Sequence, residues 1–225
     1  MTKILSAAVE DYLKTIHELQ EDQGEERVST SALAERMGVA SASVTGMLKK
    51  LAAVEPKLVD YKPYGGVRLT QAGDKIALEV LRHHRLIETY LIEALGFSWD
   101  EVHDEADELE HVISEALEAR IAEYLGHPEI DPHGDPIPSL EGVLSAQDQV
   151  SLNSLEPGER GRVLRVVDDQ ALLQYLDELE IELSSVVEVV DRGPFAGPLH
   201  IAVEGSEKEH AVSPQAAEKV FVRRL

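Results

Sequence analysis

The sequence predicts an α+β protein: an N-terminal winged helix-turn-helix, a helical middle and a C-terminal β-barrel. Three observations carry this. Apolar residues recur at helical spacing up to about residue 125, then in short β-rich runs from about residue 162. A proline- and glycine-rich stretch, HPEIDPHGDPIPSLEG (127–142), separates the two regimes and reads as a linker or irregular connection. A hairpin pattern follows two short helices near the N-terminus.

The elements follow in order. Val9, Tyr12, Leu13, Ile16 and Leu19 predict a helix over 6–20, with Ser6 as cap, and EDQGEER (21–27) predicts a loop. In VSTSALAERMGVASASVTGMLKKLAA (28–53), a short helix reaches Met37, Gly38 opens a turn, and Ser41 caps a second helix. Val44, Met47, Leu48 and Leu51 form the apolar stripe of that helix, whereas Ser43, Thr45, Gly46, Lys49 and Lys50 lie largely outside it. Two such helices make either a plain helical hairpin or a helix-turn-helix. The strands expected at 58–61 and 67–69, around the KPYGG turn, favour a winged helix. Helices are expected over 70–95, ended by Gly96, and over 99–125, ended by Gly126. Strand runs are expected at 162–167, 186–190, 200–203 and 219–222, with one helix over 171–179, which together make a small barrel.

Composition narrows the function. The 225 residues include no cysteine, which excludes disulfides, zinc ribbons and thiolate catalysis. No run approaches the roughly 18 apolar residues of a membrane helix. The start, MTKILSAAVEDYL, lacks the apolar core of a signal peptide, so a cytoplasmic protein with no membrane partner is expected. The net charge of −22 argues against nucleic acid at first sight, but residues 1–70 carry nine basic and ten acidic side chains. Within 39–75, Lys49, Lys50, Lys57, Lys62, Arg68 and Lys75 outnumber Glu55, Asp60 and Asp74. That island coincides with the winged helix, where phosphate contacts would fall.

The stretch HDEADELEH (103–111) puts five carboxylates and two histidines into nine positions. It is either solvated surface or a metal-binding face. At about 100° per residue, His103, Asp107, Glu110 and His111 share a sector of about 100° beside the apolar stripe, leaving Asp104, Glu105 and Glu108 to solvent. On the preceding helix His84 and Glu88 lie one turn apart inside the apolar stripe, as a buried ion pair or as ligands. Glu10 and Asp11 adjoin Val9, Tyr12 and Leu13, so one of them is a candidate to turn inward. Without thiols, such a site favours Mn(II) or Fe(II).

The chain resembles the diphtheria toxin repressor family of metal-activated transcriptional repressors in VEDYLKTIHEL (9–19), STSALAERMGVASASVTGMLKKL (29–51), RLTQAGDKIALEVLRHHRLIETYL (68–91), HDEADELEH and GDPIPSL (134–140). The resemblance implies a winged-helix domain over 1–72, a helical metal-binding and dimerisation domain over 73–140, and an SH3-like (FeoA-type) domain over 148–225. It implies a primary metal site of Asp11, Asp107, Glu110 and His111, with His84 as a further candidate, and an ancillary site of His84, Glu88 and His103. Iron-type members carry methionine and cysteine where Asp11 and Asp107 stand, so the resemblance leans to the manganese-responsive side. Shorter manganese-type members carry a glutamate in place of Lys14, and a second manganese bound in their manner is not expected. The family's SH3-like domain can add ligands to the ancillary site; Asp168, Asp169 and Gln170 lie near, at a different spacing, and stay unassigned.

The expected function is repression by a homodimer that binds double-stranded operator DNA of metal-homeostasis genes when Mn(II) or Fe(II) is bound. Ala40, Ser41, Ala42 and Ser43 are expected near bases and adjacent phosphates; Thr45, Gly46, Lys49, Lys50, Lys62, Tyr64 and Arg68 are expected mainly at phosphates. No nucleophile or general base accompanies the ligand candidates, so an enzyme is not expected. The alternative is a winged-helix regulator not gated by metal.

Overall fold

A computed structural model describes residues 5–24, 26–206 and 208–225. The chain forms two compact units. The first takes in the chain up to His83, with Glu110–Val112 and Pro138–Val143; the second holds His84–Leu109, Ile113–Ile137 and Leu144–Leu225. No helix among the described residues is long and apolar enough to cross a membrane.

The first unit is the winged helix with its lead-in helix. Helix α1 (Ala7–Gln23) turns Tyr12, Leu13, Ile16 and Leu19 into the core, as their spacing requires. It runs past the expected end into 21–27 and stops at Gly24, whose left-handed φ of 60° terminates it. Glu25, also in that stretch, lies outside the described residues. Helix α2 (Thr30–Arg36) is capped by Ser29, which accepts from the Ala32 amide. Helix α3 (Ser41–Leu51) has Ala40, not the expected Ser41, at its cap. Ala40 keeps an extended backbone while its carbonyl accepts from Ser43 and Val44, which makes Ser41 the first helical residue. Leu33, Val44 and Leu48 join Leu13 and Ile16 in one fully buried cluster.

Strands β1 (Val59–Lys62) and β2 (Gly66–Leu69) pair antiparallel as the wing. Gly66 sits at φ 78°, and a Cβ there would lie 2.6 Å from the Val28 carbonyl oxygen, so the strand tolerates only glycine where Val28 bridges Val67. Tyr64 projects fully exposed from the wing tip.

Helix α4 (Gln71–Leu95) runs its first half in the first unit and its second half in the other. The single helix expected over 99–125 is two: α5 (Val102–Leu109) and α6 (Glu115–Tyr124). Ser114 caps α6 by accepting from the Leu117 amide, and the intervening Glu110 and His111 leave the helical path to meet side chains of α1.

The C-terminal part follows the expected pattern with additions. Strands β3 (Val150–Ser151), β4 (Arg160–Val166), β5 (Val186–Arg192), β6 (Leu199–Val203), β7 (Glu209–Val212) and β8 (Val220–Arg224) form an antiparallel SH3-like sheet ordered β3-β8-β4-β5-β6-β7. Helices α7 (Gln170–Glu178) and α8 (Pro214–Glu218) accompany it. Alternation drives the inward faces: Leu199, Ile201 and Val203 of β6 join Val163, Leu173, Val187 and Val222 in the core. The polar or two-residue strands β7 and β3 carried no such signal.

The 127–142 stretch is not a plain linker. His133 accepts on its carbonyl from the Val166 amide at 2.9 Å, pinning the DPHG turn to the end of β4. Gly134 makes that approach possible: at φ 90°, a Cβ would lie 1.9 Å from the Leu164 carbonyl oxygen.

Candidate metal centre and DNA interface

One group of donors gathers in the first unit. Asp11, Glu110 and His111 each offer a ligand atom within 4.8 Å of the others. His111 Nε2 lies 2.8 Å from Asp11 Oδ1 and 3.4 Å from Glu110 Oε1. Its other nitrogen, Nδ1, lies 2.7 Å from Glu10 Oε2, so both α1 carboxylates, not one of them, turn to this ring. Lys14 Nζ donates to both oxygens of the buried Glu110, at 2.9 and 2.7 Å. His83 Nδ1 lies 3.2 Å from the Glu110 carbonyl oxygen and holds the turn after α5. Burial pushes the Asp11 carboxyl up; nearby His111 opposes, Glu110 adds to the rise, and Lys14 opposes again.

A second group lies in the other unit. His84, Glu88, His103 and Asp168 again place one donor atom each within 4.8 Å. His84 Nε2 lies 2.9 Å from Glu88 Oε1, and His103 Nδ1 lies 2.5 Å from Asp168 Oδ2 and 3.6 Å from Glu88 Oε1. Asp107, half-exposed, is brought to this group, 3.2 Å from His84 Nδ1 and 3.5 Å from His103 Nε2. His103 and Asp107 both face His84, and α5 ends at Leu109, so Glu110 and His111 lie beyond the helix on which the shared sector was drawn.

Asp131 and His133 adjoin Glu88 and were missed because the stretch read as a linker. His133 Nδ1 lies 3.8 Å from Glu88 Oε2, and its Nε2 lies 2.8 Å from the Trp99 carbonyl oxygen. Asp131 is committed elsewhere as well: one oxygen accepts from the His133 and Asp135 amides, and the other faces Arg85 at 3.5 Å. A histidine two residues from an aspartate inside a glycine turn was the available signal. Of the three residues left unassigned, Asp168 joins the group. Asp169 caps α7 and pairs with Lys219 at 2.5 Å, and Gln170 opens that helix as an exposed residue.

The electrostatics of this group are steep. Burial pushes the Glu88 carboxyl up, but the His84 charge, the hydrogen bonds from His103 and His84 and the His133 charge prevail and hold it far below the usual range. His103 is pushed up to about 10, first by its hydrogen bond to Asp168 and then by that to Glu88, against burial. Burial, Asp135 and Glu88 push Asp131 up to about 7, against Arg85 and His133. For His133 burial acts downward, yet Glu88, Asp168 and Asp131 leave it raised.

The expected DNA face is largely open. Ala40, Ser41, Ala42, Ser43, Gly46, Lys49 and Lys50 at α3 are exposed and Thr45 is half-buried, its hydroxyl donating to the Ser41 carbonyl. Lys62 and Tyr64 are exposed at the wing. Arg68 is less available: its Nε lies 3.2 Å from Asp60 Oδ2, and its Nη1 pairs with Glu26.

The family models described as iron dependent repressor, N-terminal DNA binding domain, and iron dependent repressor, metal binding and dimerisation domain, match residues 4–67 and 70–139. The FeoA domain model matches residues 150–224. The chain is 35% identical over 133 residues to the iron-dependent repressor IdeR of Mycobacterium tuberculosis, a match spanning 58% of this chain and 55% of that protein. It is 34% identical over 189 residues to the diphtheria toxin repressor of Corynebacterium efficiens, spanning 81% and 80% of the two chains. A solved manganese-dependent transcriptional repressor in complex with manganese superposes with a TM-score of 0.88 at 41% identity, covering 96% of this chain and 100% of that one.

Proposed function

Because the chain belongs to the diphtheria toxin repressor family of metal-dependent transcriptional repressors, we propose that it binds operator DNA as a homodimer when a divalent cation occupies the Asp11, Glu110 and His111 group. The observation that carries this reading is the convergence of α1 side chains on the turn after α5, with donor atoms within 4.8 Å.

Two carboxylates and an imidazole suit a hard or borderline divalent ion, and Mn(II) is the ion we assign, with Fe(II) second. When bound, the cation supplies the positive charge that lets partly buried carboxylates stay ionised side by side. The rest is done by the chain. Asp11 sits on α1, whose Leu13 and Ile16 share a core with Val44 and Leu48 of the recognition helix. Holding Asp11 against Glu110 and His111 therefore fixes the attitude of α3, and with it the spacing of two recognition helices in a dimer. The exposed Leu117 and Tyr124 of α6 are in keeping with a dimer-forming helix. In this reading residues 1–72 contact DNA, 73–140 carry the dimer and the metal, and 148–225 complete a second metal group. His84, Glu88, His103 and Asp168 form that group, with Asp107 and His133 beside it. Exposed Lys49, Lys50 and Lys62 meet phosphates, and the small residues Ala40 to Ser43 allow close approach to bases.

A mobility shift on the protein's own upstream DNA tests this. After chelation we expect no complex, and a complex on addition of Mn(II), less readily Fe(II), that Asp11→Ala abolishes. Equal binding with and without metal would favour a winged-helix regulator that is not metal-gated.

A further inference from the structure

Glu10 has no place in the ligand set, yet it makes a short polar contact in the first donor group. Its Oε2 lies 2.7 Å from His111 Nδ1, while the opposite nitrogen of the same ring faces Asp11 and Glu110. Glu10 and His111 are both largely buried, with side chains 18% and 13% exposed. We infer that Glu10 is a positioning residue for His111, and that it gives the metal a second hold on α1 beside Asp11. This rests on the reading of Asp11, Glu110 and His111 as a metal site.

The chemistry runs from the ring outward. A carboxylate that accepts from Nδ1–H keeps the proton on that nitrogen and leaves the Nε2 lone pair aimed at the other donors, the arrangement in which outer carboxylates raise the basicity of ligating histidines. A cation held by Asp11, Glu110 and His111 would draw electron density from the ring, which would make Nδ1–H a stronger donor to Glu10. Because Glu10 and Asp11 are consecutive on α1, the imidazole is gripped at both edges by the first turns of one helix. Glu10 also sits in the first turn of α1, where the helix dipole favours a carboxylate without any metal.

Mn(II) calorimetry on the full-length, chelated protein tests this, with the melting temperature of each metal-free variant as control. Glu10→Ala is expected to weaken one class of Mn(II) site about 10- to 100-fold, the usual range for loss of an outer-shell carboxylate. Glu10→Gln keeps an acceptor oxygen without the charge, and should recover part of that loss while both variants melt close to the parent. Affinity within twofold of the parent in a folded Glu10→Ala, or in a folded Glu10→Gln should the alanine variant not fold, overturns the inference. His111→Ala separates the two levels: if it leaves Mn(II) binding intact, the metal-site reading falls and takes the role of Glu10 with it. If His111→Ala removes a site that Glu10→Ala leaves intact, only Glu10 is wrongly assigned.

Discussion

The two donor groups answer their negative charge differently. Around Glu110 the counter-charge is an ammonium, Lys14, which neutralises but cannot ligate while it stays protonated. Around Glu88 it comes from His84, His103 and His133, each of which is both a counter-charge and a potential ligand. The first group is thus carboxylate-rich, with one fixed charge already in place. In the second, His103, raised to about 10, must lose its proton before a metal can take that imidazole. One chain therefore holds an oxygen-dominated donor group that includes Asp11 of α1 and a histidine-rich donor group that includes Asp168 of the C-terminal part.

Removing the ammonium has the largest expected effect. Lys14→Met leaves a carboxylate 1% exposed without that partner, and stripping one member of a buried pair costs about 3–5 kcal/mol. Urea unfolding of the metal-free variant should show that loss, and Mn(II) should restore part of it. Unchanged stability would mean that Lys14 is not the counter-charge described above.

A smaller effect sharpens the contrast from the other side. Trp99, the single tryptophan, stacks on His133 with ring centroids 6.4 Å apart. Its emission should respond to Mn(II) at the second group and not at the first. Glu88→Gln should weaken that response at least about 10-fold in Mn(II) concentration, whereas Asp11→Ala should leave the titration of Trp99 as it was. A response lost in Asp11→Ala alone would reverse the assignment.

The smallest expected effect is one of pH. His103 ordinarily titrates at 6.5 and is raised to about 10 in the fold. Its protonated form is therefore favoured by folding: the contribution is complete below pH 6.5 and is lost as pH rises towards 10. With the side chain 46% exposed, solvent screening keeps the effect small. The metal-free protein should melt a few degrees lower at pH 10 than at pH 7, a drop of about 2–4 °C for each kcal/mol lost. His103→Gln should flatten that slope; a slope that persists unchanged assigns it to other groups.

What the sequence made legible follows from how local each signal is. The winged helix rests on periodicity, a glycine turn and a hairpin, all within 45 residues or so, and residues such as Leu13, Val44 and Val67 are where those patterns put them. The donors were legible as residue types, because carboxylates and histidines beside an apolar stripe stand out on any helix. Where the helix that carries them ends was not. A helical wheel assumes a continuous helix, and the break after Leu109 depends on Lys14, Glu10 and Asp11, about a hundred positions earlier. The DPHG turn was illegible for a similar reason: proline and glycine announce a turn but not what it docks against, and the Val166 amide that holds it belongs to a later strand.

The placement of His83 and His84 on α4 has a consequence for inheritance. Consecutive side chains on a helix diverge by about 100°, and these two have different hydrogen-bond partners: His83 meets the Glu110 carbonyl, and His84 meets Glu88 one turn on. The phase of α4 is thus information in its own right, separate from the identity of any residue on it. Single substitutions along its solvent side should pass through a lineage readily. A one-codon insertion or deletion between Gln71 and His83 would swing every later side chain by that same angle relative to the earlier ones, disturbing the placement of both histidines while keeping every residue type in place.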